Sequence, residues 1–206
     1  MLIIWGRNNS VNVQKVLWCC EELAIEYKRI DAGGPFGIVN SPEYRHLNPN
    51  GLVPTIDDDG FVLWESNAIV RYLAAKHAGG RLWPAAPKAR AEADQWLDWS
   101  NTIFWPAIRT VFLGLIRTPP EKRDAQAIEA SRRATAEAVG IMDAHLQSRE
   151  YFAGHAFSAG DISLGCGIWR WLALPVERPD APNVQRWFDR LAQRPPYKEV
   201  VMQPLT

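Results

Sequence analysis

The sequence predicts a two-domain chain in which a small α/β domain, in the order βαβαββα, is followed by an all-helical domain. Segments with the short apolar or alternating pattern of strands occur only before about residue 65. Residues 80–87 are rich in Gly and Pro, and every later apolar pattern has helical spacing. We therefore expect one domain over residues 1–79 and a second over residues 88–206, joined by a linker at 80–87.

The first domain opens with a strand-helix-strand unit. The apolar run Leu2–Trp5 suits a short strand, and Tyr27–Asp31 alternates as a second strand would. Between them, helical spacing predicts a helix over residues 12–23, carried by Val13, Val16, Leu17, Cys20 and Leu23. Such a crossover is right-handed, so the two strands should be parallel.

The rest of this domain is marked by local start and turn signals. Ser41 as a cap and Pro42 at the first position predict a short helix to Leu47. Strands are expected at Thr55–Asp57 and Phe61–Trp64, joined as a hairpin by Asp59-Gly60. A closing helix over Ser66–His77 follows from one apolar face, formed by Ile69, Val70, Leu73 and Ala74.

Four helical segments are predicted in the second domain. One long pattern covers Lys88–Thr118 with a kink near Pro106, and another covers Glu121–Gln147. Ser158 and Asp161 form an acidic capping box that should start a buried helix from Ala159 to about Trp171. A last amphipathic helix, Asn183–Gln193, is expected to end before Pro195-Pro196.

Composition excludes several classes of function. Lys plus Arg and Asp plus Glu are both 23, so no net charge favours nucleic acid or an anionic membrane. The first apolar run is too short for a signal peptide and no stretch can span a bilayer, so we expect a cytoplasmic protein. The three cysteines are expected to be buried thiols, and the four histidines show no metal-ligand spacing, so no metal is expected.

The stretch from Asn48 to Ser66 suits a peptide ligand. Pro54 cannot donate to a sheet, and a cis Val53-Pro54 bond would turn the Val53 backbone outward, where an extended peptide could pair with it. Glu65-Ser66 opens a helix whose free amides suit a carboxylate, while the Glu65 side chain could accept a cation. A ligand with an amino-acid head and a peptide middle fits this pattern.

These features in this order resemble the cytosolic glutathione S-transferases, and the resemblance covers the whole chain. Within that family the sequence is most similar to the bacterial theta-like and nu-like enzymes of the serine type. The resemblance implies a thioredoxin-like first domain that binds glutathione as co-substrate and a helical domain that holds a small hydrophobic electrophile. It also implies a homodimer and a detoxifying transferase activity.

The resemblance assigns roles to individual residues. Ser10 falls on the position whose hydroxyl contacts the glutathione sulfur, with Asn12 beside it. Val53, before Pro54, would pair with the cysteinyl part, while Ser66 and Glu65 would hold the γ-glutamyl carboxylate and ammonium. At Leu52 many relatives carry Lys or Gln for the glycine carboxylate, so that end of the ligand has no assigned partner. Arg7 is a candidate substitute, and an ordinary exposed loop arginine is the alternative.

Each assignment has a structural alternative. Ser10 could only cap its helix, and Glu65 and Ser66 could do the same for theirs. The Ser158 to Asp161 box is interpreted as structural. Trp99, Trp105 and Arg109 could line the electrophile pocket or belong to the core or a dimer contact.

Two other functions stay open. The absence of Cys beside Ser10 and Asn12 excludes a cysteine-type mechanism, yet glutathione-dependent disulfide reduction remains an enzymatic alternative. The departure at Leu52 keeps open a non-catalytic binding or partner-recruiting protein of the same fold.

Overall fold

The structure, a computed structural model, describes residues 1–206. It divides into two compact units, Met1–Trp83 and Pro84–Thr206. The boundary between the units falls inside the segment 80–87. No helix is both long enough and apolar enough to cross a membrane.

The first unit has the predicted order βαβαββα. Its elements are β1 (Leu2–Trp5), α1 (Val11–Glu22), β2 (Tyr27–Ile30), α2 (Pro42–Leu47), β3 (Thr55–Asp58), β4 (Phe61–Trp64) and α3 (Ser66–His77), with a short 3-10 turn at Gly34–Phe36. The strand order is β2-β1-β3-β4. β1 and β2 are parallel, as predicted, and the other two pairs are antiparallel.

Local sequence explains these bounds. Ser41 caps α2 by accepting the Tyr44 amide at 3.2 Å, and Pro42 occupies the first turn, where no amide is needed. Asp59 and Gly60 both have positive φ, 52° and 93°, as a tight two-residue hairpin requires. Ile4 and Ile56 are fully buried in the sheet, and α1 packs against α3.

The register of the sheet brings four loops to one end. Ile30, Trp5, Thr55 and Trp64 lie side by side across the four strands. Strands β1, β2 and β4 end in this row, while β3 begins in it. The segments after β1, β2 and β4 therefore meet the segment before β3, which contains Val53-Pro54.

The second unit is helical. Its helices are α4 (Pro87–Trp99), α5 (Trp105–Phe112), α6 (Ala125–His145), α7 (Ala159–Ala173), α8 (Pro182–Ala192) and α9 (Pro195–Val200). α4 packs against α7, and α5 packs against α6. The predicted Ser158–Asp161 capping box is present and begins α7.

The predicted long helix over residues 88–118 contains two π-helical segments, Ser100–Phe104 and Leu113–Arg117. The Trp105 amide bonds to the Ser100 carbonyl, five residues back. Pro106 has no amide to continue the ladder, so the wider turn falls directly before it. In place of the kink predicted near Pro106, the structure therefore has a π turn between α4 and α5.

Two predictions about helix ends are wrong. The helix expected from Glu121 begins at Ala125, because Asp124 caps it by accepting the Ala127 amide at 2.9 Å. Pro195-Pro196, expected to end the last helix, instead opens α9, since proline is tolerated in a first turn. The buried Tyr197 holds α9 by donating its hydroxyl to the Gly165 carbonyl at 2.8 Å.

Candidate functional site

Ser10 occupies the N-cap position of α1 with extended backbone, φ −83° and ψ 126°. Its amide donates to the Arg7 carbonyl at 3.2 Å, and its carbonyl accepts the Gln14 amide at 2.9 Å. The residue is only 8% exposed, yet its hydroxyl forms no capping bond and no other hydrogen bond within the chain. The interpretation of Ser10 as a side-chain cap is therefore wrong.

The start of α1 is electrostatically favourable for an anion. No acidic residue lies in its first turn, so no carboxylate offsets the partial positive charge of the helix terminus. Asn12 lies in this first turn, half-buried, and its side chain forms no hydrogen bond within the chain. An anionic atom placed at the Ser10 hydroxyl would meet both a hydrogen-bond donor and the helix dipole.

The segment before β3 is held firmly on either side of Val53. The Val53-Pro54 bond is cis, as the sequence suggested. The Leu52 carbonyl accepts the Tyr44 hydroxyl at 2.7 Å and the Asn48 amide at 3.0 Å, and both side chains also bond to Thr55. The amide and carbonyl of Val53 form no hydrogen bond within the chain, so its backbone can pair with an extended peptide.

The start of α3 is the third part of the site. Glu65 is the N-cap residue and has φ 72° and ψ 108°, a conformation that costs a non-glycine residue about 1–3 kcal/mol. Its side chain forms no capping bond, so the alternative that it only caps α3 is wrong. Ser66 is 3% exposed, and its hydroxyl has no hydrogen bond within the chain. Strain and unused polar groups together are typical of a ligand site.

Arg7 follows β1, bonds to the segment after β2 and lies near Val53. Its amide donates to the Ala32 carbonyl at 3.1 Å. A Cβ atom on Gly33 would lie 3.3 Å from both Arg7 Nη1 and Val53 Cγ2, so the guanidinium and the Val53 side chain both lie next to this glycine. The structure thus places Arg7 and Val53 together, next to the start of α1.

The three candidates in the second unit do not form one cluster. Trp99 packs against Trp96 and Phe104, with ring centroids 5.1 and 6.1 Å apart. Trp105 and Arg109 lie one turn apart on α5, where Arg109 is exposed and has no ion pair. Their role in a pocket stays a prediction.

Two cavities lie away from all of these residues. A cavity of about 490 Å³ in the second unit is bounded by residues of α6, α7 and α8, among them Val139, Trp171 and Val184. A surface groove of about 790 Å³ in the first unit lies between the end of α1 and β2. Neither contains a residue predicted for the site.

The cysteine thiols of the chain are unsuited to act as nucleophiles, because they are buried. All three cysteines are buried thiols, as predicted. Burial raises the pKa of Cys20 to about 12, and burial also raises the pKa of Cys19 well above its usual value. No group of three or more His, Cys, Asp or Glu side chains is arranged to hold a metal ion.

The residues that hold Val53 and Arg7 in place were not predicted from the sequence. Tyr44 and Asn48 hold the segment before Val53, and Gly33 and Gly34 form the surface on which Arg7 lies. The adjacent glycines after a predicted strand were a usable signal, because such pairs mark positive φ. Their φ values are 78° and 57°.

The chain is similar to known proteins in both of its units. Residues 9–76 match the glutathione S-transferase N-terminal domain, and residues 104–195 match the glutathione S-transferase C-terminal domain. Glutathione S-transferase GstB of Escherichia coli is 45% identical, over 100% of both chains. The chain belongs to the glutathione S-transferase family.

Other glutathione S-transferases extend the likeness. A theta class enzyme from Xanthomonas axonopodis pv. citri, solved with glutathione bound, is 48% identical and has a TM-score of 0.97, covering 100% of this chain and 99% of that one. Glutathione S-transferase 3 of Zea mays is 29% identical, over 97% of this chain and 93% of its own. The predicted family and the predicted fold, thioredoxin-like domain followed by helical domain, are confirmed.

Proposed function

We propose that this glutathione S-transferase binds glutathione at the end of its sheet and activates the thiol through Ser10. The thiolate is then transferred to a small hydrophobic electrophile. The observation that carries this proposal is the Ser10 hydroxyl, which is almost buried at the start of α1 and has no acceptor within the chain. The glutathione bound to the Xanthomonas relative supports the choice of ligand.

The order of polar groups along the site suits the tripeptide. The Ser66 hydroxyl and the amides that open α3 bind the γ-glutamyl carboxylate, and the Glu65 carboxylate faces the γ-glutamyl ammonium. The unpaired backbone of Val53, before Pro54, forms the hydrogen bonds of an added strand with the cysteinyl residue. The cysteinyl sulfur then lies toward β1 and the start of α1.

Energies of ordinary size suffice for the activation. A thiol with a pKa of about 8.5 is only a few per cent ionised at neutral pH, and lowering that pKa by about two units raises the thiolate fraction roughly 25-fold. Such a shift corresponds to about 2.7 kcal/mol. A hydrogen bond from the Ser10 hydroxyl to the thiolate supplies about 1.5–3 kcal/mol, and the helix terminus adds about 0.3–1 kcal/mol.

The remaining assignments belong to the same proposal. Asn12, in the first turn of α1, assists Ser10 at the sulfur, while Trp99, Trp105 and Arg109 contribute to binding the electrophile. No metal ion takes part in this mechanism. The homodimer expected from the resemblance is checked by sedimentation of the purified chain.

Replacing Ser10 tests the proposal. Ser10→Ala should reduce conjugation of glutathione to a neutral aryl halide by about 5- to 15-fold at neutral pH, because the thiolate loses its donor but keeps the field of the helix terminus. Ser10→Thr keeps the hydroxyl and serves as the matched control, with most of the activity retained. Unchanged conjugation by the alanine variant would contradict the proposal.

The same assay separates the enzymatic alternative. Disulfide reduction would use the same activated thiolate, so Ser10→Ala would impair both reactions. A rate with a mixed disulfide that exceeds the rate of conjugation in the native enzyme would favour reductase function over transfer.

A further inference from the structure

The cavity of about 490 Å³ in the second unit has no part in the proposed reaction. It is lined by Val139 of α6, the end of α7, the start of α8 and the loop 174–181 that joins α7 to α8. Pockets that bind small molecules usually measure about 300–1,000 Å³, so this volume is sufficient for a metabolite. No residue assigned to glutathione or to the electrophile lines it. The cavity is therefore a candidate for a second binding site.

The walls of this cavity are held in place by hydrogen bonds within the unit. Arg178 Nη1 donates to the Trp171 and Leu174 carbonyls at 3.2 and 2.7 Å, which fixes the loop to the end of α7. A cation is also favoured there by the helix dipole. The Asp143 carboxylate on α6 accepts the Val184 amide at 3.0 Å, which fixes the start of α8. The cavity is thus formed without a ligand, as is usual for small-molecule sites.

Two opposite charges line the cavity without neutralising each other. Arg178 and Asp180 are both exposed, and no ion pair joins them. Arg178 uses only Nη1 for hydrogen bonds, so its Nε and Nη2 donors are unused. The Asp180 carboxylate accepts no hydrogen bond within the chain. Because Asp180 repels a simple anion and Arg178 repels a simple cation, a ligand that carries both charges suits the pair best.

The rest of the lining is mainly apolar. Its apolar members are Val139, Trp171, Leu172, Pro179, Pro182 and Val184. Three of them, Val139, Trp171 and Val184, are at most 2% exposed and form a fixed apolar surface. The Trp171 indole N–H forms no hydrogen bond within the chain, so this residue also has an unused donor. A lining of this composition favours a ligand with a large apolar group over a wholly polar one.

We propose that this cavity binds a free α-amino acid with a large apolar side chain. The carboxylate of the ligand pairs with the unused donors of Arg178, and its ammonium pairs with Asp180. The side chain of the ligand packs against Val139, Trp171 and Val184. The proposal is independent of the transfer reaction, because it involves none of the residues assigned to that reaction.

A free amino acid could also bind elsewhere in the molecule. The head of glutathione is itself an amino acid, and Glu65 and Ser66 are proposed to hold its ammonium and carboxylate. The experiment must therefore separate the cavity from the glutathione site. Competition with glutathione and variants in the loop 174–181 do so.

The test measures binding of three probes by calorimetry, with and without saturating glutathione. The probes are L-phenylalanine, 3-phenylpropanoate, which lacks the ammonium, and 2-phenylethylamine, which lacks the carboxylate. Asp180→Asn is the main variant, because its side chain bonds to nothing that folding requires. Its matched control is Glu177→Gln, an exposed carboxylate of the same loop that does not line the cavity. Arg178→Gln is paired in the same way with Arg186→Gln, an exposed position of α8 outside the cavity.

The native protein should bind L-phenylalanine with a Kd between about 10 µM and 1 mM, and glutathione should not change it. Each probe with a single charge should bind about 10-fold more weakly or worse. Asp180→Asn should weaken L-phenylalanine by about 10-fold without weakening 3-phenylpropanoate, because only the partner of the ammonium is lost. Arg178→Gln should weaken L-phenylalanine without weakening 2-phenylethylamine. Neither control should alter binding of any probe.

Four results would overturn the proposal. They are no binding of L-phenylalanine at about 10 mM, displacement of L-phenylalanine by glutathione, native binding of 3-phenylpropanoate as tight as that of L-phenylalanine, and equal weakening of all three probes by Asp180→Asn. The second result would place the amino acid in the glutathione site, and the third would make the cavity a site for organic anions. Failure of the native protein to bind glutathione would instead refute the proposed function, and the loop variants would still decide this proposal.

Discussion

Ser10 precedes a helix in the first unit and Ser158 precedes a helix in the second, but only the Ser158 side chain has a hydrogen-bond partner. Ser158, before α7, donates its amide and hydroxyl to the Asp161 carboxylate at 2.9 and 3.0 Å. Ser10, before α1, has Val13 at the position equivalent to Asp161, and its hydroxyl has no partner in the chain. In this pair of helices the carboxylate three places after the serine distinguishes a hydroxyl that is bonded within the fold from one that is left to bind a ligand.

Ser158 lies beside a buried hydrogen-bond network, whereas Ser10 does not. Asp161 is fully buried and also accepts the Phe152 amide at 3.0 Å and the Trp187 indole at 2.9 Å, so it joins α7, α8 and the segment before α7. No comparable carboxylate is present in the first turn of α1. Mutations at the first group should change stability, and mutations at the second should change catalysis.

The largest effect is expected for Asp161→Ala. The change leaves buried donors of Phe152, Ser158 and Trp187 without an acceptor, and the free energy of unfolding should fall by about 3–5 kcal/mol. Denaturant titration measures it. A loss below about 1 kcal/mol would show that the box is not a major stabilising element.

Asp161 should also give the stability a specific pH dependence. Burial raises the pKa of its carboxyl to about 6 in the folded protein, despite four hydrogen bonds that lower it. Between the unfolded value near 3.9 and about 6 the folded state holds a proton that the unfolded state has released, so this contribution is fully present below that range and is lost as pH rises through 6. The stability of the native chain relative to Asp161→Asn should therefore increase by up to about 3 kcal/mol as pH falls from 7 to 4. A constant difference between the two proteins over this range would contradict the shift.

An intermediate effect is expected for Ser10→Ala, and only on catalysis. Its hydroxyl makes no hydrogen bond within the chain that the variant would lose, so the free energy of unfolding should change by less than about 0.5 kcal/mol. Conjugation should still fall by about 5- to 15-fold. Equal losses of stability and activity would remove the distinction between the two serines.

The smallest effect is expected for Ser158→Ala. It removes one hydroxyl bond to Asp161 but keeps the amide bond, so stability should fall by about 1 kcal/mol. Specific activity of the folded enzyme should not change. Loss of activity without loss of stability would assign Ser158 a catalytic role.

The sequence predicted most of the first unit because its signals are local. Ser41-Pro42 and Asp59-Gly60 set the limits of α2 and of the hairpin within a few residues of chain, and the structure has them there. In the second unit the proline signals were ambiguous. Pro106 marks a π turn and Pro195 opens a helix, outcomes that depend on the packing of neighbouring helices such as α7 beneath Tyr197.

The candidate site shows the same difference between local signals and long-range packing. Ser10, Val53 and Ser66 could be named from the sequence because each belongs to a recognisable helix start or proline bend. The position of Arg7 over Gly33 and Gly34 could not, because it depends on the pairing of β1 with β2 and on the path of the loop that follows β2. The candidate hydroxyl was thus predictable, and the contact of Arg7 with the two glycines was not.

The most direct test is the ionisation of glutathione bound to the native enzyme and to Ser10→Ala, followed by the ultraviolet absorbance of the thiolate. The native enzyme should hold the pKa of the bound thiol about two units below the free value near 8.5. Ser10→Ala should return most of that shift. A bound thiol that titrates as it does in free solution, or a lowered pKa that survives the loss of the Ser10 hydroxyl, would contradict the account.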